Sequence, residues 1–329
     1  MSGARRPVVT LLSLGGTIAM GAEHRPGVVP QLDATELAAA IGSAAGGVDL
    51  RARTVRRVPG ASLRIDDIYA LAGDIEAALD AESAGVVVSQ GTDTMEETAF
   101  LLDLLIRRPT PVVLTGAMRN PATPGADGPA NLGAAVLTAA SGLDLRGVVV
   151  VMADEIHAAA RVQKSHSASP AAITSDGGPL GFVSEGRVVL RSVPARRTPI
   201  VPRGDGQPSV PIITLGLGDD GRGLRAADGA DGLVIAGFGG GHVPEWLVPD
   251  IAAVAARIPV LLVSRTRRGP VLRATYGFAG SELDLRGRGI ATAGTLDPVK
   301  ARILLIALLR AGLPADQIAA RLAEADAAL

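Results

Sequence analysis

The amino-acid sequence predicts an α/β protein in two parts, and three observations carry that prediction. Short valine- and leucine-rich runs alternate with alanine-rich stretches of helical length. Several of the runs end in glycine and threonine. The alternation breaks once, at a stretch of prolines, arginines and glycines without any apolar period.

In chain order, Val8–Leu14, Gly85–Ser89, Pro111–Thr115 and Gly147–Met152 read as strands. Their hydrophobicity is continuous rather than alternating, which is the habit of parallel strands covered on both faces. Between them, Asp33 and Glu36 form a capping-box pair ahead of a helix over Leu37–Ala44, and Met95–Ile106 and Pro129–Ala140 have helical length. Pro129 suits a first helical turn. The stretch Arg191–Pro211 then reads as a connection between domains. Beyond it, strands are expected at Val210–Leu215, Gly232–Ala236 and Pro259–Val263, and helices at Val248–Arg257, Pro298–Ala311 and Pro314–Ala325. The expected organisation is a domain over 1–190, a linker over 191–209 and a second domain over 210–329. A length of 329 residues agrees with two cores rather than one.

Only 2% of residues are aromatic and 41 are glycine, so the interior is built from small aliphatic side chains on closely packed backbone. The net charge of -1 provides no field to hold nucleic acid or an anionic membrane, and a small-molecule partner is expected. With no cysteine there is no thiolate nucleophile, disulfide or sulfur-ligated metal, so a nucleophile must be an oxygen or a lysine. The histidines His24, His157, His166 and His242 are too scattered to suggest a metal site. Arg5 and Arg6 before Val8–Leu14 imitate a signal peptide. That run, however, has strand length and enters Gly15-Gly16-Thr17 without a cleavage pattern, so a cytoplasmic protein is expected. No run of about 18 apolar residues spans a bilayer.

Two turns can carry chemistry. In Ser13-Leu14-Gly15-Gly16-Thr17 the glycines allow a tight turn and expose backbone N–H groups beside the Thr17 hydroxyl. In Ser89-Gln90-Gly91-Thr92-Asp93-Thr94 a polar cluster opens a helix, where Asp93 could take an ammonium. The bland alternative for both is ordinary helix capping. A third segment, Thr115-Gly116-Ala117-Met118-Arg119 with Asp127-Gly128-Pro129-Ala130-Asn131, offers no catalytic group of its own.

Together, and in this order and spacing, these segments resemble the bacterial-type L-asparaginase/glutaminase family, as does Ala293-Gly294-Thr295-Leu296-Asp297-Pro298 with Lys300-Ala301-Arg302 near the C-terminus. The resemblance covers nearly the whole chain. It implies a larger N-terminal parallel-sheet domain and a smaller flavodoxin-like C-terminal α/β domain. It also implies a homotetramer, a dimer of intimate dimers, in which each site takes residues from the neighbour's C-terminal domain. No cofactor and no metal are implied. Thr17 matches the favoured nucleophile, and Thr92, Asp93 and Lys164 match the second threonine, the acid and the lysine. A threonine hydroxyl needs a base at neutral pH, and a lysine beside Asp93 and Thr92 relays that proton. The implied reaction is hydrolysis of L-asparagine through a threonyl ester. Backbone N–H groups near Gly16, Gly91 and Thr92 are the implied substrate and oxyanion donors.

The sequence departs from the family at several places. Gln90 stands where a histidine is common. A tyrosine normally follows the first motif on a lid loop, and none occurs between Met20 and Asp33; Tyr276 is the candidate to supply a phenol from a neighbouring copy. The carboxylate-binding serine aligns with Ala61, with Ser62 one residue away. His242 replaces an asparagine near the neighbour's substrate amino group, and Glu282 matches a substrate-contacting glutamate. Two rival readings remain: a nicotinamide-dependent dehydrogenase, for which the glycines fail the G-x-G-x-x-G spacing, and an inactive amino-acid-binding relative.

Overall fold

A computed structural model of the chain describes residues 5–21, 29–30, 32–42, 47–194 and 197–327. It divides into two compact units, Met1–Pro199 and Ile200–Leu329. The last strand of the first unit ends at Leu190 and the first of the second begins at Ile212, with no helix or strand between them among the described residues.

The strands of the first unit are β1 (Val8–Ser13), β2 (Met20–Gly21), β3 (Val29–Pro30), β4 (Asp49–Thr54), β5 (Gly85–Ser89), β6 (Val112–Thr115), β7 (Val148–Met152), β8 (Glu155–Ala158), β9 (Val162–Lys164), β10 (Ile173–Ser175), β11 (Gly181–Ser184) and β12 (Arg187–Leu190). Its helices are α1 (Ala34–Ala40), α2 (Ile65–Asp80), α3 (Met95–Leu105) and α4 (Gly128–Ala140). Eight strands form one sheet in the order β12-β11-β8-β7-β6-β5-β1-β4. From β4 to β7 every pairing is parallel, whereas β8, β11 and β12 add an antiparallel end.

Val86, Val87 and Val88 are fully buried, as a strand sandwiched between helices requires. One face, through Val9, Leu11, Val87, Val113 and Val149, packs on α1 and α4. The helices α2 and α3 pack on each other, α2 touching β5 and α3 touching β7. The small-residue interior has a visible reason: a Cβ on Gly85 would stand 2.3 Å from the Ala139 carbonyl oxygen, so α4 lies directly on the sheet backbone. The capping box of α1 is present, Asp33 Oδ1 accepting from Glu36 N at 2.9 Å and Glu36 Oε2 from Asp33 N at 2.7 Å. Residues 43–46, which include the last two of the expected helix Leu37–Ala44, lie outside the described residues.

Several elements exceed the expectation. The edge strand β4, Asp-Leu-Arg-Ala-Arg-Thr, alternates exposed and half-buried residues, and its charges face out as a sheet edge favours. The antiparallel end turns through Ala153 and Asp154 (φ 50° and 62°) and through Glu185 and Gly186 (φ 49° and 70°). These are two-residue hairpins without an Asn-Gly signal.

The second unit contains β13 (Ile212–Thr214), β14 (Leu233–Gly237), β15 (Val260–Ser264) and β16 (Ala291–Thr292), paired in that order and all parallel. Its helices are α5 (Val248–Ala255), α6 (Glu282–Gly287), α7 (Pro298–Arg310) and α8 (Ala315–Ala327). Ile213, Ile235, Leu262, Ile251 and Leu285 form one apolar core. At the start of α7, Asp297 accepts from Val299 N and Lys300 N and pairs with the buried Lys300 Nζ at 2.7 Å.

Candidate active site

The parallel register levels the strand ends: Ser13 pairs with Thr54 and Ser89, and Ser89 with Thr115. The four loops that follow β4, β1, β5 and β6 therefore leave one edge of the sheet side by side. Gly15 and Gly16 have φ of +100° and +85°, a backbone region that glycine alone enters cheaply. A Cβ on Gly16 would lie 2.1 Å from Gly91 N, and one on Gly91 would lie 2.9 Å from Gly60 N. Three loops thus touch backbone to backbone.

Thr17 opens a single 3-10 turn, Thr17–Ala19, closed by Ala19 N donating to Gly16 O at 3.0 Å. Thr92 and Asp93 open another, Thr92–Thr94, before α3. Neither side chain caps the helix, and the Thr94 hydroxyl donates instead to Gly60 O at 2.9 Å. Capping therefore does not account for the polar cluster. Thr92 is 4% exposed, whereas Asp93 is open to solvent.

The hairpin β9–β10 brings in Lys164, which sits opposite Ile173. Its Nζ donates to Thr92 Oγ1 at 2.9 Å and to Asp93 Oδ1 at 2.6 Å. Its backbone N–H is held by Glu96 Oε2 at 3.2 Å. A lysine fixed between a hydroxyl and a carboxylate can move a proton with almost no rearrangement. Thr17 is not part of that bonded group; the Gly16–Gly91 contact brings it to the same edge.

The third motif buttresses the second. Asp127 accepts from Met118 N and Arg119 N at 3.0 and 2.9 Å, and Asn131 bridges Gly116 O and Ala153 N at 3.0 and 2.9 Å. The loop so fixed presses Gly116 against Gln90: an added Cβ would meet Gln90 O at 2.5 Å. Ala61 and Ser62 are exposed on the turn Gly60–Ser62, whose first residue packs on Gly91.

His242 and Glu282 belong to the C-terminal unit. The loop after β14 closes through Phe238 N to His242 O and His242 N to Phe238 O, at 2.8 and 2.9 Å. Glu282, with no exposed surface, accepts at Oε1 from Thr275 N and Tyr276 N, both at 2.7 Å. Its Oε2 faces His242 Nε2 at 3.3 Å. Burial works to raise the Glu282 pKa, but the backbone donors, with His242 adding to them, hold it below the usual carboxylate value.

Residues 8–196 match the family profile described as Asparaginase, N-terminal, and residues 209–322 match the Glutaminase/Asparaginase C-terminal domain. The chain belongs to the asparaginase family. It is 34% identical over 331 residues to a probable L-asparaginase of Deinococcus radiodurans, covering 96% of this chain and 97% of that one. It is 34% identical over 311 residues to L-asparaginase 2 of Escherichia coli, covering 91% and 88%. It is also 31% identical over 323 residues to a subunit of the glutamyl-tRNA(Gln) amidotransferase of Halobacterium salinarum, covering 91% and 74%.

This asparaginase-family chain is accordingly an amidohydrolase, in keeping with its motifs. Glu96 is a supporting residue to which the sequence reading gives no role, although it lies within the second motif, which runs from Gly91 to Thr98. Gln90 is fully buried and donates from Nε2 to Gly91 O at 3.2 Å, steadying the peptide that touches Gly16. Residues 22–28, which include most of the expected lid, lie outside the described residues. Among the described residues no cluster of histidine and acidic side chains could hold a metal ion, and no helix is long and apolar enough to cross a membrane.

Proposed function

We propose that this amidohydrolase is an L-asparaginase that releases ammonia from L-asparagine through a threonyl ester on Thr17. The observation that carries the reading is Lys164 Nζ hydrogen-bonded to both Thr92 and Asp93, beside the Gly16–Gly91 contact that presents Thr17. The Thr17 oxygen attacks the carboxamide carbon while its proton passes to a base. The oxyanion accepts from backbone N–H groups near Gly16 and Thr92, and the C–N bond breaks as the nitrogen takes a proton and leaves as ammonia. Water activated by the Thr92–Lys164 pair then attacks the ester, freeing aspartate and restoring the hydroxyl. Asp93 takes the substrate ammonium. The exposed turn carrying Ala61 and Ser62 provides the carboxylate contact, Gly91 contributing backbone.

The working form in this reading is a homotetramer, in which His242 and Glu282 of a neighbouring copy complete the site. A free amino-acid amide is favoured over an amide borne on tRNA in this reading, in line with 34% identity to the two L-asparaginase relatives against 31% to the amidotransferase subunit. A cytoplasmic setting goes with the reading, the apolar run after Arg5 and Arg6 forming β1, the strand next to the sheet edge at β4. Ammonia release measured side by side on L-asparagine and L-glutamine tests the proposal. Faster turnover of L-asparagine supports it, and no release from either amide overturns it. Specific activity followed on dilution to a proven monomer tests the shared site; the monomer is expected to be inactive.

A further inference from the structure

Lys164 is carried by a ladder that lies outside the main sheet. Strands β9 and β10 form a two-stranded sheet of their own, with Lys164 opposite Ile173 and Val162 opposite Ser175. Ser165 closes its loop end, N and Oγ donating to Ala172 O at 2.7 and 2.9 Å. A ladder closed in this way moves as a unit, so whatever fixes its frame fixes the lysine. Helix α3 supplies one attachment, the bond from Lys164 N to Glu96 Oε2. The main sheet supplies another on the opposite strand: His157 of β8, paired with Val150 of β7, has Nδ1 2.9 Å from Ser175 Oγ. Attachments on both strands set the tilt of the ladder, which one alone does not.

His157 has no exposed surface, and burial pushes its pKa down to about 4, so at neutral pH the ring is uncharged and one nitrogen is an acceptor. Nε2 faces Glu155 Oε2 at 3.4 Å. A proton on Nε2 is turned toward that carboxylate, whereas a proton on Nδ1 would leave a lone pair set against it. Nδ1 is therefore the acceptor and the Ser175 hydroxyl the donor. A buried imidazole is a costly way to fill space that leucine would fill, and what it adds here is one hydrogen bond in a fixed direction.

We propose that His157 and Ser175 are positioning residues for the proton relay: the imidazole, its tautomer set by Glu155, holds the β9–β10 ladder so that Lys164 Nζ reaches Thr92 and Asp93 together. Ser175 stands two residues along β10 from Ile173, the partner of Lys164, a distance of about 7 Å, so a shift at the serine is felt at the lysine. Nζ lies 2.9 and 2.6 Å from its two acceptors, and a retreat of about 1 Å breaks both bonds. The inference rests on the proposed reading in one respect, that Lys164 relays a proton; the placing of its amine does not depend on it.

Two measurements on the full chain test it. The chain has two lysines, Lys164 and the buried Lys300, so ¹³C-labelled lysine gives two ε-methylene signals, which Lys164→Met assigns. Ser175→Ala and His157→Leu are each expected to move the Lys164 signal and leave that of Lys300 in place. Kinetically, each is expected to lower kcat for L-asparagine about tenfold, the size of one lost hydrogen bond, with KM changed less than about twofold. Ser175→Thr, which keeps the hydroxyl, is expected to hold most of the native kcat, and Ser175→Ala is expected to be silent in the His157→Leu background. A Lys164 signal unmoved by Ser175→Ala overturns the proposal. Equal losses in Ser175→Ala and Ser175→Thr, or a loss in His157→Leu that Ser175→Ala deepens, overturn it as well. Absence of all L-asparagine turnover refutes the proposed function alone, because the Lys164 signal still reports where the ladder holds its lysine.

Discussion

Lys164 Nζ lies 2.9 Å from the Thr92 hydroxyl, a contact made across 72 residues of sequence. It ties the loop after β5 to the β9–β10 hairpin, and several outcomes follow from it.

Thr92→Val and Lys164→Met are each expected to lower kcat by about 10²–10³ or more while L-asparagine still binds weakly, because each removes one member of a proton relay. Steady-state ammonia release, with binding followed by calorimetry, checks this. A nearly silent variant of either residue means that the relay runs elsewhere.

Thr17→Ala is expected to abolish turnover and leave the thermal midpoint near that of the native chain, since the side chain is only partly buried on a surface turn. Retention of even about a tenth of the native rate is too much for a missing nucleophile.

Gly16→Ala should damage both fold and site. The new methyl would stand 2.1 Å from Gly91 N, backbone against backbone, at a φ of +85°. Such overpacking typically costs about 1–3 kcal/mol, and the strained φ adds to it. Urea unfolding checks the stability and ammonia release the activity; a variant that keeps both would show that the loops can separate.

His157 makes stability depend on pH. It is fully buried, its Nδ1 lies 2.9 Å from Ser175 Oγ, and burial pushes its pKa down from 6.5 to about 4. Between those values the unfolded chain binds a proton that the folded chain refuses, so stability rises with pH across the window. The contribution is complete above about pH 7 and lost progressively from about 6.5 to 4, amounting to roughly 3 kcal/mol. The same contact joins β8 to the hairpin of Lys164, so acid should loosen the site as well. Denaturant midpoints from pH 4 to 8, compared with His157→Gln, measure it; an unchanged slope in the variant assigns the effect to another group.

Tyr276→Phe keeps the ring and removes the hydroxyl of a residue that is 44% exposed in its own chain. If the phenol orients Thr17 of a neighbouring copy, kcat and kcat/KM fall together by roughly 10²–10³ with KM little changed. Normal kinetics in this variant would leave Thr17 to be oriented by something other than the Tyr276 phenol.

What the sequence determined by itself is whatever local chemistry dictates. Uninterrupted valine runs force buried strands, as at Val86–Val88; Gly15-Gly16 announces a turn that other residues resist; Asp33 and Glu36 specify a helix start within four residues. The motifs therefore revealed both the α/β class and the family. Tertiary structure alone decided the rest. Asp49–Thr54 is a strand because a sheet edge tolerates its arginines, and the hairpin at Ala153-Asp154 takes positive φ because the ladder on either side holds it there. The family resemblance already set Lys164 beside Thr92 and Asp93, but the hold of Glu96 on the Lys164 backbone and the pairing of Glu282 with His242 join residues that sequence spacing does not relate. Such contacts depend on strand register and loop closure, and these are set by how the whole chain packs rather than by any segment of it.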